Sequence, residues 1–272
     1  MFRVQKRIFI IIIYLLIAGT IIFLITRRFT ADPSCVDGKK NQGEENIDCG
    51  GPCNKCSEGI EAEKIIIEDY HVIYGGHNLY DLAIEINNPN ERYGASEFKY
   101  KIDLKNEAGE TVVFREGKSF ILPTESKYLI EIGLKSNENI SSAVVSIGEV
   151  KWVNFVDFEV PKVKIHNQKF GLIENEDKDK TNYARAFGLM VNDSLFDFKK
   201  IDINVVIKDS RGTPIAVSKT DKRTVYSGKE YEFTLHWPTE FPGGDNMSSA
   251  DMQAEVNVFD NQNFMKKYAN GK

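Results

Sequence analysis

The sequence has no cysteine after Cys56, and the whole chain contains only four histidines and two tryptophans. The histidines are scattered at His71, His77, His166 and His236. They form neither an HExxH motif nor a close H-x-H pair, so a zinc enzyme is not expected. A blue-copper site would need a cysteine ligand, which the long C-terminal part does not offer. No GxSxG, P-loop or GxGxxG sequence occurs, which argues against common hydrolases and nucleotide-binding enzymes.

Basic charge is scarce outside the N-terminus. Residues 1–28 contain five basic residues and no acidic one. The remainder therefore holds 30 of the 35 basic residues and all 40 acidic residues, which gives it a net charge of −10. A body this acidic does not neutralise phosphates, so we expect no nucleic-acid partner.

Long apolar runs are also absent, with one exception at the N-terminus. Residues 8–26 read IFIIIIYLLIAGTIIFLIT, nineteen residues without a charge. As a helix this segment would be about 28 Å long, close to the roughly 30 Å hydrocarbon core of a bilayer. We predict a lipid-spanning anchor within residues 1–30. A cleaved signal peptide is the alternative, but no small-x-small cleavage site precedes the arginines that follow the run.

All four cysteines lie between residues 35 and 56, in the sequence CVDGKKNQGEENIDCGGPCNKC. This stretch has no apolar run to form a core, so a module at 31–58 needs covalent or metal cross-links. Two disulfides in an oxidising compartment are the favoured interpretation, and spacing does not choose among three pairings. Structural zinc and a redox-active pair are the alternatives. The cysteines are Cys35, Cys49, Cys53 and Cys56, and the redox alternative uses Cys53 and Cys56.

The same loop is rich in oxygen-bearing side chains. Calcium prefers six to eight such hard oxygen ligands, and the glycines of the loop allow a tight turn around a cation. The EF-hand pattern is absent, so a solvated loop is the competing interpretation. The candidate calcium ligands are Asp37, Asn41, Glu44 and Asp48.

The pattern C-x-DG-x-x-N-x-GE-x-x-x-DCGG-x-C-x-x-C, filled by residues 35–56, resembles a short module of bacterial secreted and surface proteins. It is similar to copies in uncharacterised membrane-anchored proteins of candidate-phyla (Patescibacteria-like) bacteria, where the module sits between an N-terminal anchor and β-sandwich domains. The resemblance implies an exported location and an accessory role rather than an enzymatic one.

Beyond residue 58 the pattern changes to short alternating runs separated by turns. In FKYKIDL at 98–104, apolar and polar residues alternate, which is typical of a strand with one buried face. The later run IDINVVI at 201–207 occupies the same place in a second, similar set of runs. We predict an all-β fold with two tandem Ig-like β-sandwiches, at 59–160 and 161–272.

Equal spacings support a duplication. Gly109 precedes Tyr128 by the same nineteen residues that separate Gly212 from Tyr231. Such agreement over several strands indicates a repeated unit of about 100 residues. We expect residues 155–163 to be a short, stiff joint between the two copies.

A bend after the second strand adds a second resemblance. The sequence NNPN at 87–90 is similar to the bend of the FxLYD and late-embryogenesis-type sandwiches. Its counterpart VNDS at 191–194 lacks the proline, although Asn192 parallels Asn88. Such domains carry no catalytic residues, so the resemblance implies binding rather than catalysis.

Together these features predict a non-enzymatic, single-pass binding or scaffold protein of the cell envelope. Its N-terminus would be cytoplasmic, its C-terminal domains extracytoplasmic, and a protein partner would contact the loop 238–249. A structural stalk of an envelope complex, a thiol-disulfide redox protein and a metal-dependent enzyme remain as alternatives.

Overall fold

The computed structural model describes residues 5, 7, 13–23, 40, 43–45, 49–53, 62–173 and 183–265. They belong to two compact units, Met1–Glu61 and Ala62–Lys272. In the first unit residues 13–23 are helical. Across the described residues, no helix combines the length and the apolar character needed to cross a membrane. The predicted anchor at 8–26 lies partly outside the described residues, at 8–12 and 24–26, and stays a prediction.

The second unit is built from antiparallel strands, which confirms the all-β prediction for this part of the chain. The first six strands are β1 (Ile66–Gly76), β2 (Leu79–Asn87), β3 (Tyr93–Lys105), β4 (Thr111–Ile121), β5 (Ser126–Lys135) and β6 (Ser142–Asn154). The next six are β7 (Val163–Leu172), β8 (Ala184–Asn192), β9 (Phe198–Asp209), β10 (Pro214–Val225), β11 (Glu230–Trp237) and β12 (Met247–Glu255). Short 3₁₀ turns lie at Phe155–Asp157, Gly244–Asn246 and Asn261–Asn263.

These strands form four three-stranded sheets, ordered β1-β2-β5, β4-β3-β6, β11-β8-β7 and β10-β9-β12. The first two sheets share one apolar core and form the first sandwich. The last two share another core and form the second sandwich. The strand order repeats between the sandwiches, because β7 to β12 take the places of β1 to β6.

A buried asparagine shapes the same bend in both sandwiches. Asn88 has no exposed surface, and its Nδ2 donates to the carbonyls of Tyr93 and Leu122, both at 2.8 Å. Asn192 is equally buried, and its Nδ2 donates to the carbonyl of Phe196 at 2.8 Å. A buried amide needs such partners, so each asparagine fixes the chain between the second and third strands of its sandwich.

The two sandwiches pack against each other and do not meet only through residues 155–163. A third apolar cluster joins sheet β1-β2-β5 to sheet β10-β9-β12, and these are called the inner sheets below. The sheets β4-β3-β6 and β11-β8-β7 are the outer sheets. The cluster contains Ile73, Ala83, Tyr128 and Ile130 from the first sandwich and Val206 and Val217 from the second.

The packing also corrects the alignment of the two copies. Tyr128 belongs to the cluster between the sandwiches, whereas Tyr231 packs against the core of its own sandwich. Because successive strand residues point to opposite faces, the two tyrosines cannot be structural counterparts despite their equal spacing. In the structure, β5 and β11 therefore match each other with a shift of one residue from the alignment that the sequence spacing suggests.

The cores are not fully separate either. Phe120, near the end of β4, and Leu122, just after it, lie in the core cluster of the second sandwich. At the joint, the rings of Phe155 and Phe158 stack at 5.4 Å, and both contact Phe259 edge to face. Residues 155–163 therefore belong to a packed joint, as their few turn residues suggest.

Candidate functional site

A cleft with a volume of about 800 Å³ opens between the two sandwiches of the second unit. Its first wall is formed by the starts of β3 and β5 and the end of β4, and its second wall by β9, β10 and the residues after β12. Binding sites commonly occupy clefts of roughly 300–1,000 Å³ between domains. This cleft is the candidate site.

A buried ion pair adjoins the cleft, which one of its members, Glu255, helps to line. Lys127 of the first sandwich contacts the carboxylate of Glu255 in the second, and their side chains are only 2% and 8% exposed. The Lys127 ammonium also lies 4.1 Å from the ring centroid of Phe120, and Asn204 donates to the second oxygen of Glu255 at 2.5 Å. Removing either charge would leave the other buried alone, so the pair holds the walls in one arrangement.

Backbone contacts on β5 reinforce this arrangement. The N–H of Tyr128 donates to Gln253 Oε1 at 3.0 Å, and its carbonyl accepts from Asn204 Nδ2 at 3.3 Å. Lys219 Nζ donates to the carbonyl of Ile130 at 2.8 Å. Each bond crosses from one sandwich to the other, so the cleft is a fixed feature of the packed pair.

The rim of the cleft carries charges of both signs. Glu97 accepts from Lys118 at 3.1 Å and pairs with Lys151 at 2.9 Å, and these two ammonium groups lower the pKa of its carboxyl. On the opposite wall, Lys200 pairs with Asp202 at 2.8 Å. The rim is thus polar and internally compensated, which suits a neutral or zwitterionic polar ligand better than a strongly charged one.

The hydroxyl of Tyr100, which lines the first wall, is held in a buried hydrogen bond. Burial and the hydrogen bond from its hydroxyl to Glu131 Oε1, 2.5 Å long, raise the pKa of Tyr100 well above its usual range. Arg115 Nε donates to the other oxygen of Glu131 at 3.1 Å. A phenol held in this way stays protonated near neutral pH and donates its proton in the hydrogen bond to Glu131.

The histidines are not gathered into a cluster. His71 lies 3.0 Å from Asp69, and His166 lies 2.7 Å from Glu230. His77 and His236 line a smaller crevice of about 300 Å³ between the sandwiches, together with Asp81. Burial raises the pKa of Asp81. Within the described stretches, no group of three or more His, Cys, Asp or Glu side chains could hold a metal ion.

The site residues predicted in the cysteine-rich module are only partly described. Cys35, Asp37, Asn41, Asp48 and Cys56 lie outside the described residues. Both the calcium site and the pairing into two disulfides therefore stay predictions.

Three predicted members of the module are described. Cys49 and Cys53 are not free thiols. Glu44 is buried, and its Oε1 lies 3.4 Å from Cys53 Sγ. This contact brings one predicted calcium ligand beside one of the cysteines.

The loop 238–249, predicted to contact a protein partner, also makes contacts within the chain, and the partner contact stays a prediction. Thr239 Oγ1 donates to the carbonyl of Gly75 in the first sandwich at 2.7 Å. Phe241 is buried and contacts the rings of Tyr183 and Trp237 edge to face. The loop therefore connects the two sandwiches.

Sequence reasoning missed the cleft because its residues come from distant segments. One signal was available: LAI in β2, YLI in β5 and NVVI in β9 lack the alternation expected of strands with a solvent-facing side. No family model matches the chain, and no curated protein matches it significantly. The functional proposal therefore rests on the geometry and the sequence motifs.

Proposed function

We propose that this chain is a membrane-anchored, non-enzymatic binding protein of the cell envelope, which holds a polar ligand in the cleft between its two sandwiches. The cleft of about 800 Å³, with walls joined by the buried pair of Lys127 and Glu255, is the observation that carries the proposal. A cleft with a fixed shape binds without a large ordering cost, because its walls are already in place.

The chemistry of the cleft supports binding rather than turnover. Two of its rim carboxylates, Glu97 and Asp202, are paired with lysines. Tyr100 is held as a protonated donor. General acid–base catalysis needs a group whose pKa lies near the working pH, and the surroundings of Glu97 and Tyr100 move the pKa of each away from neutral.

The proposed location rests on the N-terminal sequence. The uncharged run at 8–26 supports a single-pass anchor with a cytoplasmic N-terminus. The confinement of all four cysteines to 35–56 supports disulfide formation outside the cytoplasm. In this arrangement residues 62–272 would face the exterior.

Site-specific photo-crosslinking in intact cells tests the proposal. A photoreactive residue replaces Ser119 or Thr220 on opposite walls of the cleft, and Ser146 on an outer sheet serves as the control. We expect an adduct from both cleft positions and none from the control. The location is tested separately: protease added to intact cells should degrade the sandwiches. Equal adducts at all three positions would remove the cleft from consideration, and sandwiches protected from protease would overturn the location.

A further inference from the structure

The crevice of about 300 Å³ that contains Asp81 is a second opening between the sandwiches, and it is called the Asp81 crevice below. Its volume lies at the lower end for ligand pockets, so it suits a small ligand. Among the described residues, none lines both this crevice and the cleft. Most of its lining is aliphatic or aromatic: Ile73, Leu79, Ile132, Ala216, Val217, Trp237 and Phe241.

Asp81 carries the one carboxylate of this lining. No lysine or arginine accompanies it among the described residues that line the crevice. The other titratable members are His77 and His236, which are neutral imidazoles at their ordinary pKa near neutral pH. The Asp81 crevice therefore combines apolar walls with a single negative charge.

A β-bulge holds the carboxyl of Asp81 in place. Ile132 and Gly133 of β5 together lie opposite Asp81, because the pairing of β2 with β5 shifts by one residue there. The glycine has a φ of +69°, and its N–H donates to Asp81 Oδ1 at 2.8 Å. Bulges of this kind often re-aim groups beside functional sites.

The second oxygen of the carboxyl, Oδ2, has no hydrogen-bond or ion-pair partner among the described residues. It lies beside Gly75, where a Cβ atom would be 3.4 Å from it. Since Gly75 also lines the crevice, Oδ2 is on the side of the carboxyl that a ligand can reach.

Asp81 differs in this respect from the buried carboxylate elsewhere between the sandwiches. Glu255 is paired with Lys127, so its charge is compensated within the chain. Burial raises the pKa of Asp81, because the ionised carboxyl is poorly solvated where it lies. A cation that enters the crevice would offset this cost, and its attraction to the carboxylate is stronger there than in bulk water.

We propose that the Asp81 crevice binds a small organic cation, with an alkylammonium group donating to Asp81 Oδ2 and its carbon chain lying against the apolar walls. The ammonium belongs to a free amine or to a lysine side chain, which have the same chemistry. A metal ion fits less well, because metals need several ligands and the described residues offer no group of three. This site is separate from the cleft, so it stands or falls independently of the proposed function.

Ligand-detected NMR titration of the full chain in detergent, at about pH 7, measures the binding. The probe is the linear aminopentanol that carries its two polar groups at opposite ends. The corresponding pentanediol has a hydroxyl in place of the ammonium, and it should bind at least about tenfold more weakly. If the diol binds as well as the amino alcohol, the charge of Asp81 does not select the ligand and the proposal is wrong.

A lysine with both backbone ends blocked, Nα-acetyl-lysine methylamide, compares the two sources of the ammonium. Tighter binding of the blocked lysine than of the aminopentanol would favour a peptide side chain. Weaker binding would favour a free amine. If neither compound binds, the proposal is overturned.

Removal of the charge tests the role of Asp81 itself. Asp81→Asn keeps an oxygen that accepts from the Gly133 N–H, and it should weaken binding of the aminopentanol roughly tenfold or more. Asp103→Asn removes a carboxylate from β3 on an outer sheet and is the matched control, which should bind as the wild type does. Undiminished binding by Asp81→Asn would overturn the proposal.

A steric variant tests the position of the ammonium while the charge remains. Gly75→Ala would place a methyl group 3.4 Å from Asp81 Oδ2, an ordinary contact distance that the fold accommodates. This methyl group fills the space of the ammonium, so we expect a similar loss of binding. Gly148→Ala on β6, where an added Cβ meets nothing within 4 Å, is the control. If Gly75→Ala binds the aminopentanol as tightly as this control, the ammonium does not lie at Oδ2.

Discussion

The inner and outer sheets of this protein bury their strands in different ways. In β11, and in β3 from Phe98 to Leu104, both on the outer sheets, more buried residues alternate with exposed or half-buried ones. In β5 and β9, on the inner sheets, five successive residues are buried, 127–131 and 203–207. The outer strands face one apolar core and solvent, whereas the inner strands face a core on one side and the other sandwich on the other.

This difference shows how the sequence pattern of a strand depends on the number of its faces that are buried. Alternation indicates a strand with one buried face, and a continuous buried run indicates a strand covered on both faces. The inner strands also carry polar residues at buried positions, such as Lys127 and Asn204, each with a partner across the interface. These polar contacts therefore help to fix how the two sandwiches pack, in addition to the burial of apolar surface.

The largest effect is expected from breaking the ion pair between the inner sheets. Glu255→Ala leaves Lys127 buried without a carboxylate, and we expect a loss of about 3–5 kcal/mol in the free energy of unfolding. Glu116→Ala removes the partner of Lys101 on an outer sheet, where both side chains are more than half exposed. That change should have a far smaller effect, because water screens the exposed pair. Urea unfolding of the full chain, followed by tryptophan fluorescence, measures both.

A double replacement checks the cause of that loss. Lys127→Met combined with Glu255→Met removes both charges and keeps apolar volume, so it should recover most of the stability lost in Glu255→Ala. If Glu255→Ala lowers the free energy of unfolding no more than Glu116→Ala does, water reaches the interface between the sandwiches. The proposed difference between inner and outer sheets would then be wrong.

An intermediate effect is expected when the same residue is placed at equivalent positions of β9 and β3. Val206 packs between the sandwiches, and its counterpart Asp103 lies on the outer face of β3. Val206→Asn removes apolar contact and buries an amide, with an expected loss of about 2–4 kcal/mol. Asp103→Asn should change the free energy of unfolding by no more than about 0.5 kcal/mol. Similar losses in the two variants, measured by the same urea titration, would contradict the assignment of faces.

The smallest effect concerns Asp81, at the edge of the inner interface. Burial raises the pKa of its carboxyl, although the N–H of Gly133 donates to it at 2.8 Å. The folded state therefore holds the proton more tightly, and the ionised carboxylate lowers stability above the folded pKa. Asp81→Asn should be slightly more stable than the wild type at about pH 7, and the gain should vanish at about pH 3. A gain that is independent of pH would show that ionisation is not its cause.

Local sequence patterns were sufficient to predict the strands and the bends between them. The predicted strand 98–104 lies within β3, and 201–207 lies within β9. Asn88 and Asn192 were paired by sequence, and both are buried at the bends. These features depend on short-range alternation and on amide hydrogen bonds close in the chain, which a single sequence records.

The candidate cleft could not be predicted in this way, since Lys127 and Glu255 are 128 residues apart. The offset between Tyr128 and Tyr231 shows a related limit of spacing arguments. A shift of one residue exchanges the two faces of a strand, so equal counts along the chain do not ensure equal orientation. The outward side of β8 has a local signal, the alternation in RAFGLMV, but the meaning of that signal depends on which side the other sandwich covers.

Phe120 and Leu122 belong to the first half of the sequence but lie in the core of the second sandwich. The second sandwich depends on the first, because residues of the first complete its interior. The boundary near residue 160 in the sequence is therefore not a boundary between two separate cores. Removal of the first half would leave a hollow in the core of the second, so we expect the two sandwiches to unfold together.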